Sequence, residues 1–231
     1  MRCMYTAMFG LIVIISAGHQ AQGQTATEGP KIIQALPTPS GTMPIGRRRY
    51  EWLDPSRKSS TGGSRVVVVS IFYPSADRAS SFGEYVEGAE KLPSNEKTKF
   101  LRDSFGPVWQ FIATGKVLSH AQDNIPILKT ARKLPILLFS PGLGIVSAAY
   151  SIQLEDLASH GYVVVAVDHP YDSALLTLTD GTLIPFDQET WNERQPPGPP
   201  TLAGMKFAVE RQEDWVLDFN FRSAGNAVAI K

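Results

Sequence analysis

The sequence predicts an α/β protein whose mostly parallel sheet is flanked by helices, and residues 134–172 carry the prediction. Two uninterrupted apolar runs, Pro135 to Phe139 and Tyr162 to Val167, enclose a segment in which Tyr150, Leu154, Leu157 and Ala158 share one helical face. Strands without polar alternation are buried on both sides, as in a parallel sheet between helix layers. Ser147 is placed to cap the helix start and Gly161 to close its end. The turn Pro141-Gly142-Leu143-Gly144 then falls at the carboxyl end of a strand, where open α/β sheets receive their ligands.

The remaining elements are read in chain order. Residues 1–23 have a basic start at Arg2, an apolar stretch from Ala7 to Ile15 and small residues at Ala21 and Gly23. This is the pattern of a secretory signal peptide, and the apolar run falls short of the ~20 residues of a membrane span. Cys3, the only cysteine, lies inside it, so the mature chain is expected to use neither cysteine catalysis nor thiolate metal sites. Residues 24–63, rich in Pro, Gly, Ser and Thr, are expected to be an extended lead-in. Its cluster Arg47-Arg48-Arg49 reads as a solvated face or as a contact for anionic lipid head groups.

Residues 64–231 are expected to form the domain itself. Arg65 to Tyr73 is a β-branched strand stopped by Pro74. From Ser94 to Gly115 the pattern is helical and broken at Gly106-Pro107. Its apolar members Phe100, Leu101, Phe105, Val108, Trp109 and Ile112 either pack over the sheet or meet a lipid surface. Asp180-Gly181 between two β-prone runs signals a hairpin, residues 195–200 a Pro-rich loop, and Leu202 to Asp218 a further helix. A length of 231 residues with 43% hydrophobic content fits one domain with a full core, and equal basic and acidic counts of 22 exclude a polyanion as main partner. No histidine pairs with carboxylates at metal-ligand spacing, so no metal or other cofactor is expected.

A Gly-x-Gly turn feeding a helix leaves backbone N–H groups aimed at an anion. Two chemistries use that device. One is a dinucleotide pyrophosphate site, for which Asp168 at the end of the next strand would be the ribose-binding acid, somewhat beyond the usual offset of about 20 residues. The other is an oxyanion hole, in which the same groups meet charge developing on a carbonyl oxygen.

Three phrases favour the second: Val66 to Ser75, Leu137 to Gly144, and Asp156 to Pro170. Together they resemble the α/β-hydrolase fold and, more narrowly, the platelet-activating-factor acetylhydrolase family of the plasma and isoform II type, over residues 66–218. The resemblance implies a secreted serine esterase that removes the short sn-2 acyl group of platelet-activating-factor-like phospholipids, a 1-alkyl-2-acetylglycerophosphocholine esterase. It implies that the backbone N–H of Leu143 serves the oxyanion hole, with Gly142 and Gly144 allowing the turn. Pro141 stands where family members carry His. Asp168 is expected to orient nearby loops, and His169 to cap its turn rather than transfer protons, since a base needs a nucleophile in reach.

The fold's nucleophile elbow, Gly-x-Ser-x-Gly, is absent from the 231 residues, and His120, His160 and His169 all precede the point where it would stand. The expectation is therefore a chain truncated before the elbow, inactive for lack of the Ser/Asp/His triad, and poorly soluble alone. Two alternatives stay open: a non-catalytic lipid-binding half-domain, and a dinucleotide-binding oxidoreductase.

Overall fold

The structure, a computed structural model, describes residues 34–59, 62–77, 82–86, 89, 92–93, 95, 98–99, 102–103, 106–114, 117–194, 201–206 and 210. The expected signal peptide (residues 1–23), Phe100, Leu101, Phe105, the expected loop at 195–200 and the chain beyond 210 lie outside the described residues.

Ten strands occur among the described residues: β1 (Gln34–Ala35), β2 (Ile45–Lys58), β3 (Ser64–Pro74), β4 (Gly83–Glu84), β5 (Val117–Ser119), β6 (Gln122–Asp123), β7 (Ile136–Phe139), β8 (Val163–Asp168), β9 (Leu175–Thr177) and β10 (Leu183–Pro185). The main sheet runs β6-β2-β3-β8-β7. It is mixed. β2 and β8 flank β3 antiparallel, whereas β7 and β8 are parallel, with Phe139 opposite Ala166. The parallel pair is the strand–turn–helix–strand unit that the apolar runs predict.

Side-chain alternation sorts β3 into two faces. Val67, Val69, Ile71 and Tyr73 join Val163 and Val167 on one side, while Phe72 joins Val164 and Ala166 on the other, beneath Leu154 and Ala158 of the Ser151–Ser159 helix. The β9–β10 hairpin, with Asp180-Gly181 in its loop, sets Leu176 and Ile184 against Val68. Burying side chains of this size contributes roughly 1.5–3 kcal/mol each, which is what holds helix and hairpin to the sheet.

Several expectations are corrected. Residues 45–58 are no lead-in: they form the fourteen-residue strand β2, and the boundary at 63/64 cuts the β2–β3 pair. The run Arg47-Arg48-Arg49 and the charges at Glu51, Asp54, Arg57 and Lys58 hide this strand from a hydrophobic reading. Within the arginine cluster Arg47 is neither a solvated side chain nor a lipid contact, because it is 5% exposed and grips Asp123 through two hydrogen bonds, 2.8 and 3.1 Å, and the Glu84 carbonyl at 3.0 Å. Arg49 likewise binds the Glu51 carboxylate and the Thr177 carbonyl.

Ser147 does not cap the helix. It opens a 3₁₀ turn, Ser147–Tyr150, and Tyr150 holds the N-cap position without a side-chain bond. Gly161 does close the helix, at φ +98°, with its N–H on Ala158 and that of Tyr162 on Leu157. The Gly106-Pro107 break appears as a 3₁₀ turn, Gly106–Val108, running into the short helix Trp109–Ala113. Ile112 is buried against Leu36, Tyr85 and Ala89, and Trp109 is half-buried against two clusters, so this part of the predicted lipid surface faces the protein.

Candidate functional site

Parallel neighbours end on the same edge of a sheet, so the residues after β7 and those after β8 meet. The first set is the turn 140–147 and the second the turn 168–172. Four hydrogen bonds join them. Both Asp168 oxygens accept from Ser147, one from its N–H and one from its hydroxyl, each at 2.7 Å. His169 Nε2 lies 2.8 Å from Ser140 Oγ, and the Asp172 carbonyl accepts the Gly144 N–H at 2.7 Å.

The 168–172 turn is itself rigid. The His169 carbonyl accepts from Asp172 N–H at 3.0 Å and Ser173 N–H at 2.8 Å, and the Ser173 hydroxyl accepts from His169 N–H at 3.1 Å. Asp168, His169, Asp172 and Ser173 are all buried. Tyr171 sits at φ +70°, a conformation costly for a side-chain-bearing residue and retained where the surroundings over-determine it. Burial pushes the Asp168 carboxyl above its ordinary range, against the lowering effect of the Ser147 bonds and of the Arg49 charge.

Held this way, the turn presents backbone donors. Gly144 takes φ +71° and a bond from Ile145 N–H to the Gly142 carbonyl, 3.0 Å, closes the loop. The Gly144 N–H is spent on Asp172, but among the described residues no acceptor takes the N–H of Gly142 or Leu143. Pro141 is buried and supplies no donor. Beside Ser147 lies a small pocket of about 100 Å³, lined by the apolar Trp109, Val146, Leu175 and Leu176 and by the polar Asp168 and Ser147.

The other two described histidines are placed elsewhere. His120 Nε2 meets the Leu36 carbonyl at 2.8 Å, and the His120 backbone N–H and the Ser119 hydroxyl both donate to Glu155, a fully buried carboxyl of the central helix that burial pushes upward. His160 contacts Ser40 Oγ at 2.9 Å on the surface, beside Asp156. Among the described residues no group of His, Cys, Asp and Glu is placed to hold a metal ion, and no helix is long and apolar enough to cross a membrane.

The platelet-activating factor acetylhydrolase, isoform II, family model matches residues 33–192. The chain belongs to this family. Within it, the chain is 34% identical over 107 residues to a platelet-activating factor acetylhydrolase of Cavia porcellus, covering 46% of the chain and 24% of that protein. It is 27% identical over 170 residues to a probable 1-alkyl-2-acetylglycerophosphocholine esterase of Arthroderma benhamiae, covering 68% and 42%. A solved ferulic acid esterase from Streptomyces cinnamoneus superposes with TM-score 0.58 and 25% identity over 81% of the chain and 48% of its own. The chain thus spans less than half the length of each of these proteins.

Family membership and geometry agree against the dinucleotide reading. Asp168 is 5% exposed and both its oxygens are turned inward onto Ser147, away from any ribose hydroxyl approaching from solvent. Sequence reasoning missed Ser140. The signal was available: a serine directly after one parallel strand faces whatever directly follows the next, here Asp168-His169.

Proposed function

We propose that these residues form the oxyanion-binding part of a secreted serine esterase that cleaves the short sn-2 acyl ester of platelet-activating-factor-like phospholipids. The observation that carries the reading is the pair of N–H groups, Gly142 and Leu143, left without an acceptor in a turn clamped by the 168–172 segment. A donor that is fixed before reaction stabilises a tetrahedral oxyanion without reorganising, and removing one such donor costs about 10²–10³ in rate. The Leu143 N–H is the proposed donor, Gly142 and Gly144 give the turn its path, and Asp168 positions it through Ser147. Residues 1–23 are proposed to direct export.

Acyl transfer of this kind needs a serine on an elbow, and no Gly-x-Ser-x-Gly occurs among the 231 residues. The 231-residue chain alone is therefore proposed to be inactive. The second reading is a half-domain that binds phospholipid without turning it over.

The test is the coding sequence read in all frames past the Lys231 codon. A strand followed by Gly-x-Ser-x-Gly, then an acid, then a histidine, is the expected result. A long reading frame with none of these overturns the esterase reading and favours the binding one, which vesicle co-sedimentation without acetate release would support.

A further inference from the structure

A weak nucleophile is activated when its hydroxyl is held against an imidazole within hydrogen-bond reach. That arrangement occurs in this chain away from any elbow. Ser140 Oγ lies 2.8 Å from His169 Nε2, and its other acceptor, the Pro141 carbonyl, is 3.4 Å away, too far to compete. With the ring proton on Nδ1, the Ser140 O–H donates to Nε2. His169 is 2% exposed and its backbone is fixed at both ends, whereas Ser140 is open to solvent. The base is rigid, and the nucleophile in front of it is accessible. Two and three residues further on stand the unspent N–H groups of Gly142 and Leu143.

A second serine–imidazole contact shows what sets this one apart. The Ser40 hydroxyl donates to Asp156 Oδ1 at 2.8 Å, so His160 at 2.9 Å is left to donate to Ser40 rather than to accept from it. That cluster is exposed and ties the segment before β2 to the helix; it activates nothing.

We propose that Ser140 and His169 form a nucleophile–base dyad and that Ser140 is a site of covalent acylation by activated esters. The proposal goes beyond the elbow chemistry and does not depend on it. Ser140 Oγ attacks the ester carbonyl carbon and the Oγ–C bond forms, while its proton passes to His169 Nε2. The tetrahedral oxyanion lies toward the Gly142 and Leu143 N–H groups. Its collapse breaks the bond to the leaving oxygen, which departs as the alkoxide or phenoxide and takes up the proton from His169 or from water. No oxidant or reductant enters.

The experiment is to incubate the 231-residue chain with p-nitrophenyl acetate and map acetylated peptides by mass spectrometry. The expected result is one acetyl group on the peptide bearing Ser140. Ser140→Ala removes it, Ser40→Ala leaves it unchanged, and His169→Gln slows its appearance about 10²-fold, the lower end of what a positioned base contributes. Acetyl groups spread over lysines and serines with Ser140 no faster than Ser40 would overturn the proposal. So would an unchanged rate in His169→Gln of native circular dichroism. Should that variant not fold, Ser140→Cys in a Cys3→Ser background supplies the answer with His169 intact: alkylation by iodoacetamide well above the rate of free cysteine supports the dyad, and a rate equal to it overturns it.

Discussion

Two buried carboxyls hold the segments that build the site, and both are pushed above their ordinary range by burial. Glu155 receives the Ser119 hydroxyl at 2.6 Å and the His120 N–H at 3.1 Å, and thereby fastens the β5–β6 connection to the central helix. For such a group the folded state keeps a proton that the unfolded state has already released. Stability therefore falls as pH rises from the ordinary value of 4.5 through the raised folded value. Asp54 behaves oppositely: burial raises it, the Ser56 and Arg57 bonds outweigh that, and its contribution is lost only below its ordinary range. Replacing Glu155 by Gln should leave the protein no more stable than wild type at acid pH, yet less penalised as pH rises above 4.5. Thermal melts of both proteins across that pH range check this; parallel curves would show that Glu155 is not the titrating group. Asp168 keeps some slope in the variant, since it shifts in the same direction.

At the scale of elements, β7 carries the turn and also forms the edge of the described sheet, with Ile136 65% and Leu138 63% exposed. An edge strand with unpaired backbone groups and apolar side chains invites pairing with another chain. The chain is expected to self-associate, and Leu138→Lys, which puts a charge on that edge, should raise the monomer fraction seen by light scattering. A wild-type chain that is already monomeric at the same concentration would contradict this. Composition, rather than place in the sheet, sets which strands are legible in sequence. β3, β7 and β8 are dense in β-branched or large aliphatic residues and announce themselves. β2 carries three consecutive arginines near its start that break any apolar pattern, and its burial of Arg47 depends on Asp123, 76 positions away, which no local pattern contains.

Across the whole molecule, the sequence located the turn at 141–144 and the strands on either side, because glycine spacing and apolar runs are local. It did not foresee how the turn is held. Ser147 looks like a helix cap from its position, but its hydroxyl is drawn to Asp168 by the parallel pairing of β7 and β8. His169 looks like a turn residue until that same pairing sets Ser140 2.8 Å from its ring. The family match over 33–192 bears out the resemblance read from residue 66 as far as residue 192, and extends it back to include β2.

The central claim, that a clamped turn offers the Gly142 and Leu143 N–H groups to an oxyanion, is tested most directly by proton–nitrogen correlation spectra. The labelled chain would be titrated with methylphosphonate, a tetrahedral anion. The account predicts that the Gly142 and Leu143 amides move downfield together and saturate, while the Gly144 amide, already bonded to the Asp172 carbonyl, stays in place. Shifts at Gly144 or scattered over the surface, with Leu143 unmoved, would contradict it.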